Sequence, residues 1–208
     1  MQEEWVSKTG AKRVLVVFGG WAIGPEPFVH LAQDCDLLFV SDYRELDWTP
    51  KGLDAYEERI LLAWSFGVAG YAHWQDGRAD PFTRKIAVNG TLTPADRRMG
   101  IPPMIYSKTQ NGLSAESFQS FVARVFDAPQ PPLQIDIAAR QAELAAVQSR
   151  ATPGKVMFHR VWISTGDRIF PPANLDRAWA GQSSVIRYMT DAPHAPFDRF
   201  DRVEALWT

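Results

Sequence analysis

The 208-residue sequence has a single cysteine and lacks any long apolar run. Cys35 has no partner within the chain, which excludes an internal disulfide, and a lone cysteine is usually a buried small hydrophobic residue. No stretch reaches the roughly 20 apolar residues that span a bilayer, and residues 1–10 lack the hydrophobic core of a signal peptide. These absences predict a cytoplasmic protein without a membrane segment.

The sequence also lacks a strong excess of positive charge. It has 22 Lys and Arg against 24 Asp and Glu, and its isoelectric point is about 6.1. Proteins that bind nucleic acids normally carry a clustered basic surface, so we expect no nucleic acid partner. The charge is nevertheless uneven, since residues 95–160 hold eight basic and five acidic side chains. This local excess would suit an acidic partner.

Apolar runs alternate with helix-like segments along most of the chain. Arg13–Phe18, Asp36–Val40 and Arg59–Trp64 are continuous apolar runs, as in strands buried on both faces. Gly67–Trp74 follows with helical spacing. Because parallel strands need crossover connections, the alternation predicts an α/β fold with a mostly parallel sheet and flanking helices. Further predicted elements are a short helix at Pro25–Ala32, strands at Lys85–Val88, Val156–Ser164 and Ser184–Thr190, and a helix at Asn174–Ala180.

The alternation is interrupted between about residues 107 and 152. Apolar residues recur at helical spacing in Ser114–Phe126 and again from Leu133 to Val147, which predicts two amphipathic helices. Prolines surround both pieces, as in connections outside regular structure. We interpret this region as a small helical lid inserted into a single domain over residues 1–208, a length that suits one substantial core.

Ala63-Trp64-Ser65-Phe66-Gly67 is a near match to the nucleophile elbow G-x-S-x-G, with Ala63 in place of the first glycine. Small flanking residues permit the strained turn between strand and helix that exposes the serine hydroxyl. A serine that only caps a helix is the alternative. Because this pentapeptide follows a predicted buried strand and opens a predicted helix, Ser65 is the candidate nucleophile.

A nucleophilic serine needs a neighbouring base, and the base needs an orienting carboxylate. Asp167 follows Ser65 by 102 residues at the end of the next-to-last predicted strand, and His194 comes 27 residues later, beyond the last strand. Taken singly, Asp167 suits a turn beside Gly166 and His194 suits an exposed loop. The chain order Ser, Asp, His is that of α/β-hydrolases, so together they predict a catalytic triad.

The remaining site candidates surround this triad. The backbone amides of Trp21, in the turn Gly19-Gly20-Trp21, and of Phe66 are the candidate oxyanion-hole donors, with an ordinary glycine turn as the alternative. The side chains of Trp21, Trp64 and Phe66 are candidates for an acyl pocket, although core packing explains them equally well. Arg97 and Arg98 follow a strand end where ligands bind in such sheets; a solvated turn is the alternative.

Short segments spread over most of the chain match a known family. They are Phe18-Gly19-Gly20-Trp21, Ser41-Asp42-Tyr43, Ala63-Trp64-Ser65-Phe66-Gly67, Ala87-Val88-Asn89-Gly90-Thr91 and Gly100-Ile101-Pro102, with Asp167 and His194. This set resembles the pimeloyl-acyl-carrier-protein methyl ester esterases of the BioG type. The resemblance implies an α/β-hydrolase with a reduced lid that cleaves the methyl ester from pimeloyl-acyl carrier protein (ACP), releasing methanol, in the synthesis of the biotin precursor. It implies ACP as the partner, and it leaves the roles of Tyr43, Asn89 and the Gly100 segment open.

The residues by themselves indicate only a serine hydrolase, for which we expect carboxylic-ester hydrolysis. A thioesterase or small-ester esterase with the same triad fits as well, and so does a catalytically silent protein that binds an acyl carrier. We interpret His30, His73 and His159 as structural histidines, with metal ligands as the alternative, so we expect no metal and no other cofactor. An acidic carrier would be met by basic residues of the 95–160 segment, with a solvated lid face as the alternative. These candidates are Arg97, Arg98, Arg124, Arg140, Lys155 and Arg160.

Overall fold

A computed structural model describes residues 1–154 and 156–207 and contains one seven-stranded sheet. The strands are β1 (Gln2–Ser7), β2 (Arg13–Phe18), β3 (Asp36–Ser41), β4 (Glu58–Trp64), β5 (Arg84–Val88), β6 (Arg160–Ser164) and β7 (Ile186–Thr190). The helices are α1 (Phe66–Gln75), α2 (Pro103–Asn111), α3 (Ala115–Phe126), α4 (Ile137–Ser149) and α5 (Pro172–Ala180). Short 3₁₀ helices occur at Glu26–Ala32, Leu53–Ala55, Phe197–Arg199 and Val203–Leu206.

The sheet has the strand order β1-β3-β2-β4-β5-β6-β7. Every neighbouring pair is parallel except β1 and β3, which are antiparallel. The run Val14–Phe18 of β2 is fully buried because β2 lies between β3 and β4 with packed residues on both faces. The predicted α/β class, with a mostly parallel sheet and flanking helices, is therefore confirmed.

Strand β1 and helix α2 have no counterpart among the predicted strands and helices. Strand β1 begins with three exposed residues and pairs only along the edge of the sheet, so it has no continuous apolar run. Helix α2 begins at Pro103, in a stretch that we interpreted as a connection outside regular structure. A helix can begin there because proline suits the first turn, where its missing N–H is not needed. Residues 103–106 are thus helical, although they precede the predicted insertion at about 107–152.

Other predicted boundaries are wrong by a few residues. The structure places Val156 and the fully buried Phe158 outside β6, since burial of an apolar residue does not require strand pairing. His159 lies just before β6 and not within a strand, and its Nδ1 accepts a hydrogen bond from the Lys85 N–H. Leu133 is exposed and precedes α4, which starts after Asp136 caps it by accepting from the Ala139 N–H.

The carboxyl edge of the sheet collects unusual backbone conformations. Among the residues with positive φ that are not glycine, Asp42, Ser65 and Asn89 directly follow β3, β4 and β5, and Ala22 lies shortly after β2. Such conformations are uncommon for residues with a Cβ and cluster at functional sites. Elsewhere, no helix in the described part of the chain combines the length and apolar character needed to cross a bilayer. The cytoplasmic location and the limits of the domain stay predictions.

Candidate active site

The turn between β4 and α1 holds Ser65 in a strained conformation. Its φ is 58° and its ψ is −121°, as expected for a nucleophile elbow. The Ser65 N–H donates to the Val88 carbonyl at 2.9 Å, which fixes the turn to β5. A Cβ added at Gly67 would lie 2.0 Å from the Phe18 carbonyl oxygen, and one at Gly90 would lie 2.2 Å from the Ser65 carbonyl oxygen. Only glycine allows neighbouring backbones to approach the turn this closely.

Ser65, His194 and Asp167 form a continuous chain of hydrogen bonds. His194 Nε2 lies 3.0 Å from Ser65 Oγ, and His194 Nδ1 lies 2.7 Å from Asp167 Oδ2. The other Asp167 oxygen accepts the N–H groups of Ile169 and Phe170 at 2.7 and 2.9 Å. All three side chains are buried. This arrangement assigns the imidazole proton to Nδ1 and leaves Nε2 free to accept the serine proton.

The loop that carries His194 is fixed by two neighbouring side chains. Trp64 Nε1 and Asn89 Nδ2 both donate to the His194 carbonyl at 2.9 Å, and Asn89 Oδ1 accepts the Ser164 N–H at 2.7 Å. Asn89 therefore joins the ends of β5 and β6 to the histidine loop, a role that the sequence left open. Trp64 is almost fully buried and packs its ring beside that of His194. The structure thus places Trp64 behind the histidine and does not place it in the acyl pocket, contrary to our expectation.

Two backbone donors lie beside Ser65. The loop Gly19–Trp21 passes directly over the elbow, since a Cβ at Gly20 would lie 3.3 Å from the Ser65 Cβ. Within residues 1–154 and 156–207, the Trp21 N–H makes no hydrogen bond. Phe66 is the first residue of α1, and the first N–H groups of a helix have no partner within it. Both N–H groups are therefore available to a bound oxygen.

A cavity of about 580 Å³ opens at Ser65. Trp21 and Phe66, two of the predicted substrate contacts, form part of its wall. Most of the remaining wall comes from the helical insertion and mixes apolar with polar side chains. Its apolar residues are Ile101, Ile105, Tyr106, Leu113, Phe121, Leu144 and Ile169, and its uncharged polar ones are Thr109, Ser114, Ser117 and Ser120.

Arg97 and Arg98, the other predicted substrate contacts, lie outside this cavity. Both side chains are exposed in the turn between β5 and α2. Their carbonyls accept hydrogen bonds from Asn174 at 3.2 Å and Arg177 at 2.6 Å, both on α5. Asn174 also donates to the Gly100 carbonyl at 2.9 Å. This turn therefore fixes the connection into α2, and the hydrogen bond from Asn174 gives the Gly100 segment a structural role.

Comparison with known proteins identifies the family. A family model described as pimeloyl-ACP methyl esterase BioG matches residues 1–206. The chain belongs to the pimeloyl-ACP methyl esterase BioG family. The crystal structure of BioG from Haemophilus influenzae superimposes with a TM-score of 0.88 at 27% identity, over 100% of both chains. The family match and this superposition confirm the predicted resemblance.

Two further proteins are similar to the chain, one in sequence and one in structure. The chain is 32% identical over 188 residues to a malonyl-ACP O-methyltransferase of Bacteroides fragilis. That match covers 85% of this chain but only 38% of the methyltransferase. An esterase from Exiguobacterium antarcticum superimposes with a TM-score of 0.74 at 10% identity, over 99% of this chain and 93% of the esterase. The fold is therefore that of the α/β-hydrolases, and the family places the chain among the hydrolases.

Basic side chains line one part of the cavity in this member of the family. Lys108, Arg124 and Arg168 contribute to the wall, against one acidic residue, Glu116. Arg168 pairs with the exposed Asp127 at 3.0 Å. Arg124 is only partly exposed and, in the part of the chain that the structure describes, has no hydrogen bond or ion pair. Burial, assisted by the charge of Arg168, lowers the pKa of Arg124. Lys108 and Arg168 were missed in the sequence, Lys108 because α2 itself was missed.

Two other cations that we expected at a carrier surface are engaged elsewhere. Arg140 is mostly buried, and its guanidinium lies 2.6 Å from Glu143 and 3.3 Å from Asp42. Arg160 begins β6 at the opposite end of the sheet, where it donates to the Trp207 carbonyl at 3.1 Å. Both side chains are therefore engaged within the protein, and their contacts with a carrier stay predictions. Lys155 lies outside the described residues.

The remaining cysteine and histidine side chains lie apart from Ser65. Burial raises the pKa of Cys35 to about 11, so its thiol stays protonated. His30 Nε2 lies 3.0 Å from the Phe197 carbonyl oxygen, and burial is the main cause that lowers the pKa of His73. Over residues 1–154 and 156–207, the structure has no group of three or more His, Cys, Asp or Glu placed to hold a metal ion.

Proposed function

We propose that the protein is a carboxylic-ester hydrolase with Ser65 as nucleophile, His194 as general base and Asp167 as the orienting acid. The observation that carries this proposal is the buried hydrogen-bonded chain from Asp167 through His194 to Ser65, at 2.7 and 3.0 Å. The strained backbone of Ser65 adds support, because such a turn presents a hydroxyl to substrate.

The reaction follows from these positions. Ser65 Oγ attacks the ester carbon while His194 Nε2 takes its proton, and Asp167 stabilises the imidazolium that forms. The carbonyl oxygen becomes negative and accepts the N–H groups of Trp21 and Phe66, each worth about 100- to 1000-fold in turnover. His194 then protonates the leaving alcohol, which departs from the acyl-enzyme. Water, activated by the same imidazole, releases the acid and restores Ser65.

The substrate that we propose is the methyl ester of a pimeloyl chain carried by ACP, as the name of the family suggests. The apolar residues of the cavity wall suit the methylene chain and the uncharged methyl ester. The carboxylate that forms on hydrolysis is costly to bury there, which favours release of the product. The Bacteroides relative is named for methylating malonyl-ACP, a reaction whose product is a methyl ester of a diacid bound to a carrier. The similarity to this relative therefore supports a substrate of the same class.

The partner that we propose is ACP, approaching the basic part of the cavity wall. Acyl carrier proteins are acidic, and Lys108, Arg124 and Arg168 give the cavity an excess of positive charge. Charge complementarity of this kind mainly accelerates encounter and selects the partner. Arg124 is the strongest candidate among them because its charge is partly buried and has no partner among the described residues.

A labelling experiment tests the nucleophile. A fluorophosphonate probe should label the wild type, and Ser65→Ala should abolish both labelling and ester hydrolysis without unfolding the protein, because the hydroxyl serves covalent chemistry. Ser183→Ala, at an exposed serine, is the matched control and should behave as wild type. Labelling that survives in Ser65→Ala would identify a different nucleophile, and an unlabelled wild type would favour a silent carrier-binding protein.

A product assay tests the substrate. Pimeloyl-ACP methyl ester contains both an oxygen ester and a thioester, so the two enzymatic alternatives give different products from one molecule. The proposed esterase releases methanol and leaves the acyl chain on the carrier. A thioesterase would release the free carrier thiol, and a small-ester esterase would hydrolyse short neutral esters at least as efficiently as the carrier-linked ester.

A further inference from the structure

The oxyanion loop Gly19–Trp21 is held at both of its ends by side-chain hydrogen bonds. At one end, the Tyr43 hydroxyl donates to the Gly19 carbonyl at 2.8 Å. At the other end, the Trp21 indole Nε1 donates to the Arg140 carbonyl at 3.1 Å. Tyr43 follows β3 and Arg140 lies on α4, so the sheet and the helical insertion both contact this loop.

These two contacts are joined by the buried carboxylate of Glu143. One of its oxygens accepts the Tyr43 N–H at 2.9 Å, and the other lies 2.6 Å from the Arg140 guanidinium. The contacts therefore close into a ring that runs from Gly19 through Tyr43, Glu143 and Arg140 to Trp21. We call this set of contacts the oxyanion ring.

The ring contains charges where an apolar contact would be expected. Glu143 is 1% exposed and the Arg140 side chain is 17% exposed, and Asp42 adds a second carboxylate at 3.3 Å from Arg140. Removing charges from water is costly, and apolar residues of similar volume often stabilise a protein as well as a buried ion pair does. The charged groups instead fix the orientation of the residues that they contact, because hydrogen bonds have a preferred direction whereas apolar contacts do not.

The orientation of the loop Gly19–Trp21 matters most at Trp21. Its N–H is one of the two donors assigned to the developing oxyanion, and a misplacement of about 1 Å in such a site can reduce the rate about 100-fold. The ring fixes both the residue that begins the loop and the side chain of the residue that ends it. The helical insertion thus contacts the loop after β2 that carries this backbone donor.

We propose that Tyr43, Glu143 and Arg140 are positioning residues that hold the Trp21 N–H in place for the oxyanion, an inference that rests on the proposed function. They make no contact with the reacting atoms in this scheme. The ring assigns a role to Tyr43, and it gives Arg140 a role inside the protein.

Tyr43→Phe is the first test, because it removes one hydroxyl and retains the aromatic side chain that packs beside Gly70. We expect kcat to fall about 10-fold with little change in KM for the methyl ester. A boronic acid, which binds serine hydrolases as a tetrahedral adduct, should lose affinity by a similar factor. Binding of the intact ester to Ser65→Ala carrying the same change should stay constant, because the ground-state carbonyl depends less on this donor.

The second test replaces the ion pair by apolar residues, in the double variant Arg140→Met with Glu143→Leu, so that no unpaired charge is left in the core. We expect a 10- to 100-fold loss of kcat with the same parallel loss of boronic acid affinity, and Tm close to wild type. The control is Arg13→Met with Glu58→Leu, at a partly buried pair on the amino edge of the sheet; it also removes a partner of Glu204 and of Arg84, so it disturbs the charges at least as much as the ring variant does. This control should retain kcat.

Different outcomes bear on different proposals. If both ring variants fold and keep wild-type kcat and boronic acid affinity, the positioning role is wrong. It is also wrong if kcat falls only in proportion to the folded fraction, or if KM rises while kcat is unchanged. Should the double variant fail to fold, Tyr43→Phe decides. Failure of the proposed function has another signature, since Ser65→Ala would then keep its hydrolysis or its fluorophosphonate labelling.

Discussion

Polar groups have different surroundings at the two ends of the parallel strands, which we call the amino edge and the carboxyl edge of the sheet. At the amino edge, charged groups are paired with one another, as in the contacts of Glu58 with Arg13 at 2.8 Å and with Arg84 at 2.7 Å. At the carboxyl edge, Ser65 adopts a strained conformation and Trp21 keeps a backbone N–H without an acceptor among the described residues. The amino edge is thus arranged for stability, whereas the carboxyl edge keeps groups available for a ligand.

Two buried aspartates make this comparison concrete. Asp36, which begins β3, accepts hydrogen bonds from Thr9 at 2.7 and 2.9 Å and from the Tyr56 hydroxyl at 2.8 Å. Both of its oxygens are engaged by structural donors. Asp167, just beyond β6, gives one oxygen to backbone N–H groups and the other to His194. The same residue type, equally buried, therefore serves folding at one edge and the proposed chemistry at the other.

After the loss of Ser65 itself, the largest effect on turnover should come from Asp167→Asn. The amide would favour the wrong imidazole tautomer and should lower kcat by about 10⁴-fold, while the backbone hydrogen bonds of its other oxygen hold the fold. Turnover of a simple methyl ester, measured beside the Tm, checks this prediction. A variant that keeps more than a tenth of wild-type kcat would show that another acid orients His194.

A smaller effect should follow from Asn89→Gly. Glycine tolerates the φ of 44° at this position, so the change removes only the side-chain hydrogen bonds to the His194 carbonyl and to Ser164. We expect kcat to fall 10- to 100-fold, since the histidine loop would be less well fixed. Steady-state kinetics with the same ester provide the measurement. Unchanged kcat in a folded variant would mean that Trp64 alone fixes the loop.

A still smaller and more selective effect should follow from Arg124→Gln. We expect kcat/KM for the carrier-linked ester to fall about 10-fold at low salt and to approach the wild-type value as salt increases, because the attraction is screened over about 10 Å at 0.1 M. Hydrolysis of a small neutral ester should not change. Arg202→Gln, at an exposed arginine remote from the cavity wall, serves as the control, and an equal loss on both esters would indicate damage to the catalytic centre.

The contrast between the edges also explains which features could be predicted from the sequence. Buried parallel strands have continuous apolar runs, so β2 to β5 could be predicted, whereas β1 pairs at the edge with exposed side chains and has no such pattern. The sequence could also predict that the three triad candidates lie together, because each follows a strand whose carboxyl end lies at the same edge of the sheet. They are Ser65, His194 and Asp167. The partners of a charge could not be predicted, because they depend on packing between distant segments. Arg140 and Arg124 lie 16 residues apart in the same insertion, yet only Arg140 has buried partners.

The smallest effect on turnover is expected at the amino edge, from Asp36→Asn, which should leave kcat unchanged. It should lower the free energy of unfolding by about 2 kcal/mol, because this is the usual scale for hydrogen bonds to a buried charge. Burial alone would raise the pKa of Asp36, but the hydrogen bonds from Thr9, Tyr56 and Ala11 outweigh it and lower the pKa to about 2. A carboxyl group whose pKa is lower in the folded state stabilises the protein above its ordinary pKa, here 3.8, and loses this contribution as the pH falls towards 2. The difference in unfolding free energy between wild type and Asp36→Asn should therefore be largest near pH 7 and shrink below pH 4, which urea unfolding at pH 7, 4 and 3 would measure. A difference that stays constant over this range would show that the lost contacts do not depend on the charge, and a loss of kcat would show that the two edges are coupled after all.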